Sequence, residues 1–131
     1  MGYRWVDHTG EVELQIEAAT EEAVFAEALR AVRELIGEGR AGEQVSWVVS
    51  LSAPERATLL VAWLDELAFR AETEGLVPDA AERLELFDDG LAATVRGHRG
   101  APPHLIKGAT YHRLAFEPDR AGYRASVVLD V

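Results

Sequence analysis

From Glu11 to Glu17 the chain reads Glu-Val-Glu-Leu-Gln-Ile-Glu, an unbroken alternation that sets Val12, Leu14 and Ile16 against four polar neighbours. A period of two scatters apolar side chains around a helix but collects them on one face of a strand. The segment is therefore read as a half-buried strand with an acidic outer face. Residues 3–7 precede it across His8-Thr9-Gly10, so the fold is expected to open on a β-hairpin.

The period then changes. Thr20 followed by Glu21 and Glu22 reads as a helix cap with acidic residues at the positive end of the helix dipole, and Gly37 reads as the stop. Val24, Phe25, Ala28, Leu29, Val32, Leu35 and Ile36 fall on one stripe of that helix at three-and-four spacing. Residues 44–51 alternate again and give a third strand. Ser52-Ala53-Pro54-Glu55 has the form of a capping box, so a second helix is expected to start at Ser52, bury Leu59, Leu60, Trp63, Leu64, Leu67 and Ala71, and end near Gly75.

Beyond it the sequence reads as strands over 84–87, 91–97, 106–116 and 123–131. Asp88-Asp89-Gly90 is a turn between the first two, residues 97–103 are an exposed loop, and residues 118–122 join a final hairpin. Two helices packed on largely antiparallel sheet make an α+β class fold, and 131 residues with 48% hydrophobic content suit one domain with one core.

Thirteen basic and 23 acidic residues leave a net charge of −10, which opposes a surface that tracks nucleic-acid phosphates. Direct nucleic-acid binding is not expected. A basic protein, a metal cation or a cationic substrate suits the charge better. With no cysteine there is no disulfide, thiolate metal site or thiol nucleophile. The first residues have no basic region leading into an apolar run, and no stretch approaches the roughly 18 apolar residues that cross a bilayer, so a cytoplasmic location without membrane contact is expected.

If the first and last strands are neighbours, Glu11 and Asp130 project from the polar faces of both, Asp7 lies across the opening hairpin, and the carboxylate of Val131 joins them where the chain ends there. Converging carboxylates share a proton, recruit a base or bind a cation. Oxygen donors alone select hard cations, with calcium expected first and magnesium or manganese as alternatives. A competing enzymatic reading places His8 or His112 as general base and Asp7 as its orienting carboxylate in a metal-assisted hydrolase. No Gly-x-Ser-x-Gly elbow, His-Glu-x-x-His pair or phosphate-cradling loop accompanies them. The single lysine, Lys107, stands out in a chain that otherwise takes positive charge from arginine.

Five segments, in order, resemble the archease family. Asp7-His8-Thr9-Gly10-Glu11 is similar to its Asp-His-Thr-Ala-Asp signature, and Thr20-Glu21-Glu22-Ala23 to its first helix start. Residues 59–67 with Glu72-Thr73-Glu74-Gly75 are similar to its second helix. Lys107 to His112 resembles its Lys-Ala-x-Thr-Tyr-His strand, and Val127-Val128-Leu129-Asp130-Val131 its terminal strand. The resemblance implies an accessory protein of an RtcB-type RNA ligase, acting in tRNA splicing and RNA repair, that promotes ligase guanylylation and turnover without catalysing ligation. It also implies a metal site at Glu11, Asp130 and Val131, with Asp7 in second rank and His8, Lys107, Tyr111 and His112 supporting the site or meeting the partner. Glu11 and Gly10 stand where the family has Asp and Ala; the extra methylene suits a flexible calcium shell better than octahedral magnesium. A third reading is a general chaperone or assembly factor. No oligomeric state follows from the sequence.

Overall fold

The computed structural model describes residues 2–37 and 42–131, and its first two strands, β1 (Gly2–His8) and β2 (Glu11–Ala18), form the expected antiparallel hairpin. Gly10, with φ of 76°, takes the left-handed conformation that the tight turn needs. Helix α1 (Glu21–Ile36) follows. Its Thr20 Oγ1 accepts the Ala23 N–H at 3.1 Å, and Gly37, with φ of 85°, ends it by donating to Arg33 O.

Strand β3 (Gln44–Ser52), helix α2 (Arg56–Glu74), strands β4 (Leu76–Phe87), β5 (Gly90–Arg99), β6 (Gly108–Asp119) and β7 (Gly122–Asp130) complete the described chain. The strands divide into two antiparallel sheets, one in the order β1-β2-β7-β6 and one in the order β3-β5-β4. Both helices pack against both sheets: α1 against β2 and β4, α2 against β6 and β4. That position explains why each helix is buried over a broad face. Phe25, Leu29, Trp63 and Leu67 from the helices meet Leu14, Ile16, Val127 and Leu129 from the first sheet and Leu91 and Val95 from the second, all essentially without exposure. Trp63 Nε1–H donates to Phe25 O at 2.9 Å, so the largest buried side chain is also fully satisfied. Among the described residues no helix is long and apolar enough to cross a membrane.

The structure corrects four local expectations. Ser52 does not cap α2: it is the last residue of β3, opposite Gly90, and the helix starts at Arg56 with Glu55 as a cap that makes no side-chain bond. Ladder pairing with β5 outcompetes the local capping signal. Strand β4 begins at Leu76, far ahead of residue 84, and carries Pro78 beside register shifts between Pro78 and Ala80 and between Ala81 and Arg83. β4 lies at a sheet edge, where a proline without an N–H is tolerated.

Residues 97–99 belong to β5 instead of a loop. A Cβ at Gly97 would sit 2.1 Å from Val77 O and 2.8 Å from the Trp47 ring, so this glycine serves close approach within a sheet rather than a turn. His98 Nδ1 stands 3.0 Å from the Asp79 carboxylate, which also pairs with Arg33 at 3.4 Å and fixes this end of the sheet to α1. Finally, β6 begins at Gly108 and runs to Asp119, with Ile106 buried ahead of it.

Candidate functional site

The two ends of the chain meet in the four-stranded sheet. β2 lies between β1 and β7, and the register places Glu11 directly opposite Asp130, with His8 opposite Glu11 and Gly108 opposite Asp130 in the same row. Directly opposed residues share a face, with Cα atoms about 4.5–5.5 Å apart. His8, Glu11 and Asp130 are therefore neighbours on the outer face, away from the helices. Val131 follows Asp130 and is exposed, so its main-chain oxygens lie at the same end.

Asp7 does not join them. It is opposite Val12, whose side chain packs on the core side, so Asp7 projects to the other face and is exposed at the edge strand. The expected convergence is thus a pair of carboxylates rather than a cluster, and among the described residues no group of three His, Asp or Glu side chains could hold a metal. The same parity separates Asp7 from the His8 ring that it was expected to orient.

Lys107 is brought to the site through its backbone. Its N–H donates to Asp130 O at 2.9 Å, and its exposed side chain lines a groove of about 290 Å³ with Asp65, Phe69 and Glu72 of α2. Asp65 Oδ1 accepts the Ala109 N–H at 2.8 Å, which ties the start of β6 to that helix. Tyr111 and His112 are both exposed.

Next to this row the sequence conceals a second cluster. β6 leaves its register with β7 between Thr110 and Ala115, so that Tyr111, His112, Arg113 and Leu114 span the stretch that Val127 alone fills in β7. From this detour the Arg113 guanidinium donates to His8 Nε2 at 3.1 Å and lies 3.6 Å from Glu13 Oε1. Glu13 is only 7% exposed, the buried charged side chain among the described residues. A hydrogen bond from Gln15, then the charge of Arg113, hold its carboxyl below the usual range against the opposing effect of burial. In the sequence Glu13 is one of the polar residues of an alternating strand, and nothing local marks it for burial.

Farther along the same face, Arg4, Gln15, Glu17, Glu117, Arg124 and Ser126 line an open groove of about 810 Å³. It lies on rows of the sheet beyond the Glu11–Asp130 pair. Arg124 is bonded to Glu117 at 2.6 Å, and Arg4 Nε to Gln15 Oε1 at 2.7 Å, so its polar groups largely satisfy one another.

Two antiparallel sheets packed on two helices, with a polar cluster and an opposed acid pair on one sheet face, define a small α+β protein. The chain belongs to the archease family: the profile described as "Archease protein family (MTH1598/TM1083)" matches residues 3–131. It is 27% identical to the "Protein archease" of Methanosarcina acetivorans over 98% of this chain and 95% of that one, and 27% identical to that of Methanopyrus kandleri over all of both. Its fold is similar to the solution structure of protein 1598 of Methanobacterium thermoautotrophicum, with a TM-score of 0.70 and 26% identity over 99% of each chain. It also matches the fold of a Thermotoga maritima protein described as an archease and possible chaperone, with a TM-score of 0.73 and 22% identity over 96% of this chain and 94% of that one.

Proposed function

We propose that this protein is an accessory activator of an RtcB-type RNA ligase, and that it binds a divalent cation through Glu11 and Asp130 and promotes ligase guanylylation and turnover. The observation that carries the reading is the direct opposition of these two carboxylates at an exposed sheet end. Like charges in register repel, and among the described residues neither forms an ion pair with an arginine or lysine. A bound cation would relieve the repulsion of such a pair.

The donor set suits a hard ion. Two carboxylates with a main-chain oxygen of Val131 supply part of a calcium shell of about six to eight oxygens, and water or a partner's group would supply the rest. Magnesium and manganese take oxygen ligands too. Bound there, the cation supplies positive charge at an otherwise acidic tip. His8 stands in the row of the pair, and Lys107, Tyr111 and His112, from the neighbouring strand and the loop ahead of it, serve as supporting or partner-contacting residues. A net charge of −10 suits association with a basic, RNA-handling enzyme and speeds encounter with it. The hydrolase reading with His8 as base is disfavoured, because Asp7 and His8 project to opposite faces and His8 Nε2 is taken by Arg113.

The test is guanylylation of the cognate ligase at limiting enzyme, with and without this protein, in calcium, magnesium or manganese. Stimulation by the wild type that falls in Glu11→Gln and Asp130→Asn together with metal uptake supports the reading. Full stimulation by both variants after metal binding is lost rejects the coupling. Broad suppression of aggregation of unrelated clients, without ligase stimulation, would replace the activator with a general chaperone.

A further inference from the structure

We infer that Arg113 is a positioning residue: it pins the detour of β6 across the sheet so that Tyr111 and His112 stand as a preformed contact surface next to the Glu11–Asp130 pair. The contact role rests on the accessory function proposed above; the pinning does not.

The geometry of the detour requires a strut. Arg113 has φ of 55°, the one non-glycine residue in the left-handed region among those described. That conformation is strained for a residue with a Cβ and persists only where surrounding contacts hold it. The holding contacts come from three other strands. Ser126 Oγ of β7 donates to Arg113 O at 3.2 Å, His8 of β1 accepts from the guanidinium at 3.1 Å, and Glu13 of β2 faces it at 3.6 Å.

Starting from β6, the side chain reaches β2 and β1 only by passing over β7. The β7 residue in the row of Glu13 and Thr110 is Val128, and it has 0% exposure although it faces away from the helices. The detour thus roofs one row of an otherwise open sheet face. Arg70 pairs with Glu66 and Glu74 within one helix, and Arg124 with Glu117 within one hairpin. Arg113 instead joins the strand that carries the tip to both strands of the opening hairpin.

What this strut holds out is unused by the fold. Tyr111 is 68% exposed, a large aromatic on an anchored backbone. Such a side chain loses little freedom on binding and is a favoured anchor at protein interfaces. Its neighbour two residues on touches His8, which stands opposite Glu11, so the anchor and the acid pair are presented to one partner together.

The experiment compares wild type, Arg113→Ala, Arg113→Lys, Tyr111→Ala and the double variant Arg113→Ala/Tyr111→Ala. Ligase guanylylation is measured against concentration of this protein, and amide hydrogen exchange is followed at residues 111–114. Arg113→Ala is expected to accelerate exchange in that segment while β2 and β7 keep their protection. It should also raise the half-saturating concentration about five- to tenfold, the range for losing an aromatic anchor, with the maximal rate retained. Tyr111→Ala should give a similar shift without faster exchange, the double variant little more than either single one, and Arg113→Lys partial recovery.

Unchanged exchange in Arg113→Ala overturns the strut. Faster exchange with an unshifted half-saturating concentration, or losses that multiply in the double variant, overturns the contact surface. Wild-type protein that leaves the ligase rate unaltered overturns the accessory function and the contact role together, while exchange still decides the strut.

Discussion

Glu11 and Asp130, from opposite ends of the chain, stand directly across from each other in the β2–β7 ladder on the face that turns away from the helices. Directly opposed like charges on a sheet cost a few tenths to about 1 kcal/mol. The fold therefore retains a small local destabilisation at this sheet end, next to chain segments that it brings together from three separate strands and the loop ahead of β6.

Removing one of those charges should act in opposite directions with and without metal. In chelator-treated protein, Asp130→Asn is expected to raise stability by up to about 0.5 kcal/mol, because the repulsion is relieved at an exposed position. With calcium or manganese present the order should invert, since only the wild type gains stability from binding. Urea unfolding in both conditions reads the two signs, and a variant less stable than wild type in chelator would contradict the argument.

Trp63 should be the most costly single position in the helical core. Trp63→Ala leaves a large cavity and should lose about 3–5 kcal/mol. Trp63→Phe keeps most of the volume and removes the indole's bond to the Phe25 carbonyl, which stays in the hydrogen-bond ladder of α1, for a loss of about 0.5–1.5 kcal/mol. Denaturant midpoints at constant slope measure both.

The two apparent helix caps offer a paired comparison. Thr20→Ala removes the hydroxyl that accepts the Ala23 N–H and should lower stability by about 1 kcal/mol. Ser52→Ala removes no cap and should stay within about 0.5 kcal/mol of wild type. Equal losses in thermal melts of the two variants would show that Ser52 caps α2 in solution.

Tyr3 gives the protein a specific alkaline response. Its phenol is pushed up to about 12, first by burial and then by donating to the Glu34 carboxylate, with the charges of Glu34 and Glu27 adding to the effect. An unfolded phenol ionises near its ordinary value of 10, so between pH 10 and 12 the unfolded state releases a proton that the folded state still holds. Stability from this group is therefore complete below pH 10 and is lost as pH rises toward 12. Tyr3→Phe should flatten that part of the stability profile, and ultraviolet titration should show one tyrosine ionising late in the folded wild type.

Period and punctuation made much of this fold legible. Strict alternation at 11–17 and a looser one at 44–51, where Val48 takes a position on the exposed face, mark β2 and β3, and the stripes between Thr20 and Gly37 and between Leu59 and Ala71 mark the inward faces of α1 and α2. Local signals failed where a distant strand made the stronger offer. Ser52 has the chemistry of a cap but pairs with β5, and Gly97 has the chemistry of a loop but lies beneath Trp47 and Val77. The acid pair was legible because strand alternation fixes which face each residue takes. The exclusion of Asp7 follows from the same rule once the hairpin register is known.

By itself the sequence determined the elements, their inward faces and the family, because these depend on periodicity and short-range caps that a linear reading contains. The tertiary structure alone decided that the strands split into two sheets, that Glu13 is buried, and that Arg113 bridges three strands to bury it. Those outcomes depend on which remote segments become neighbours. A side chain in a polar position is solvated until another strand crosses over it, and no residue near Glu13 in the chain records that Arg113 will arrive.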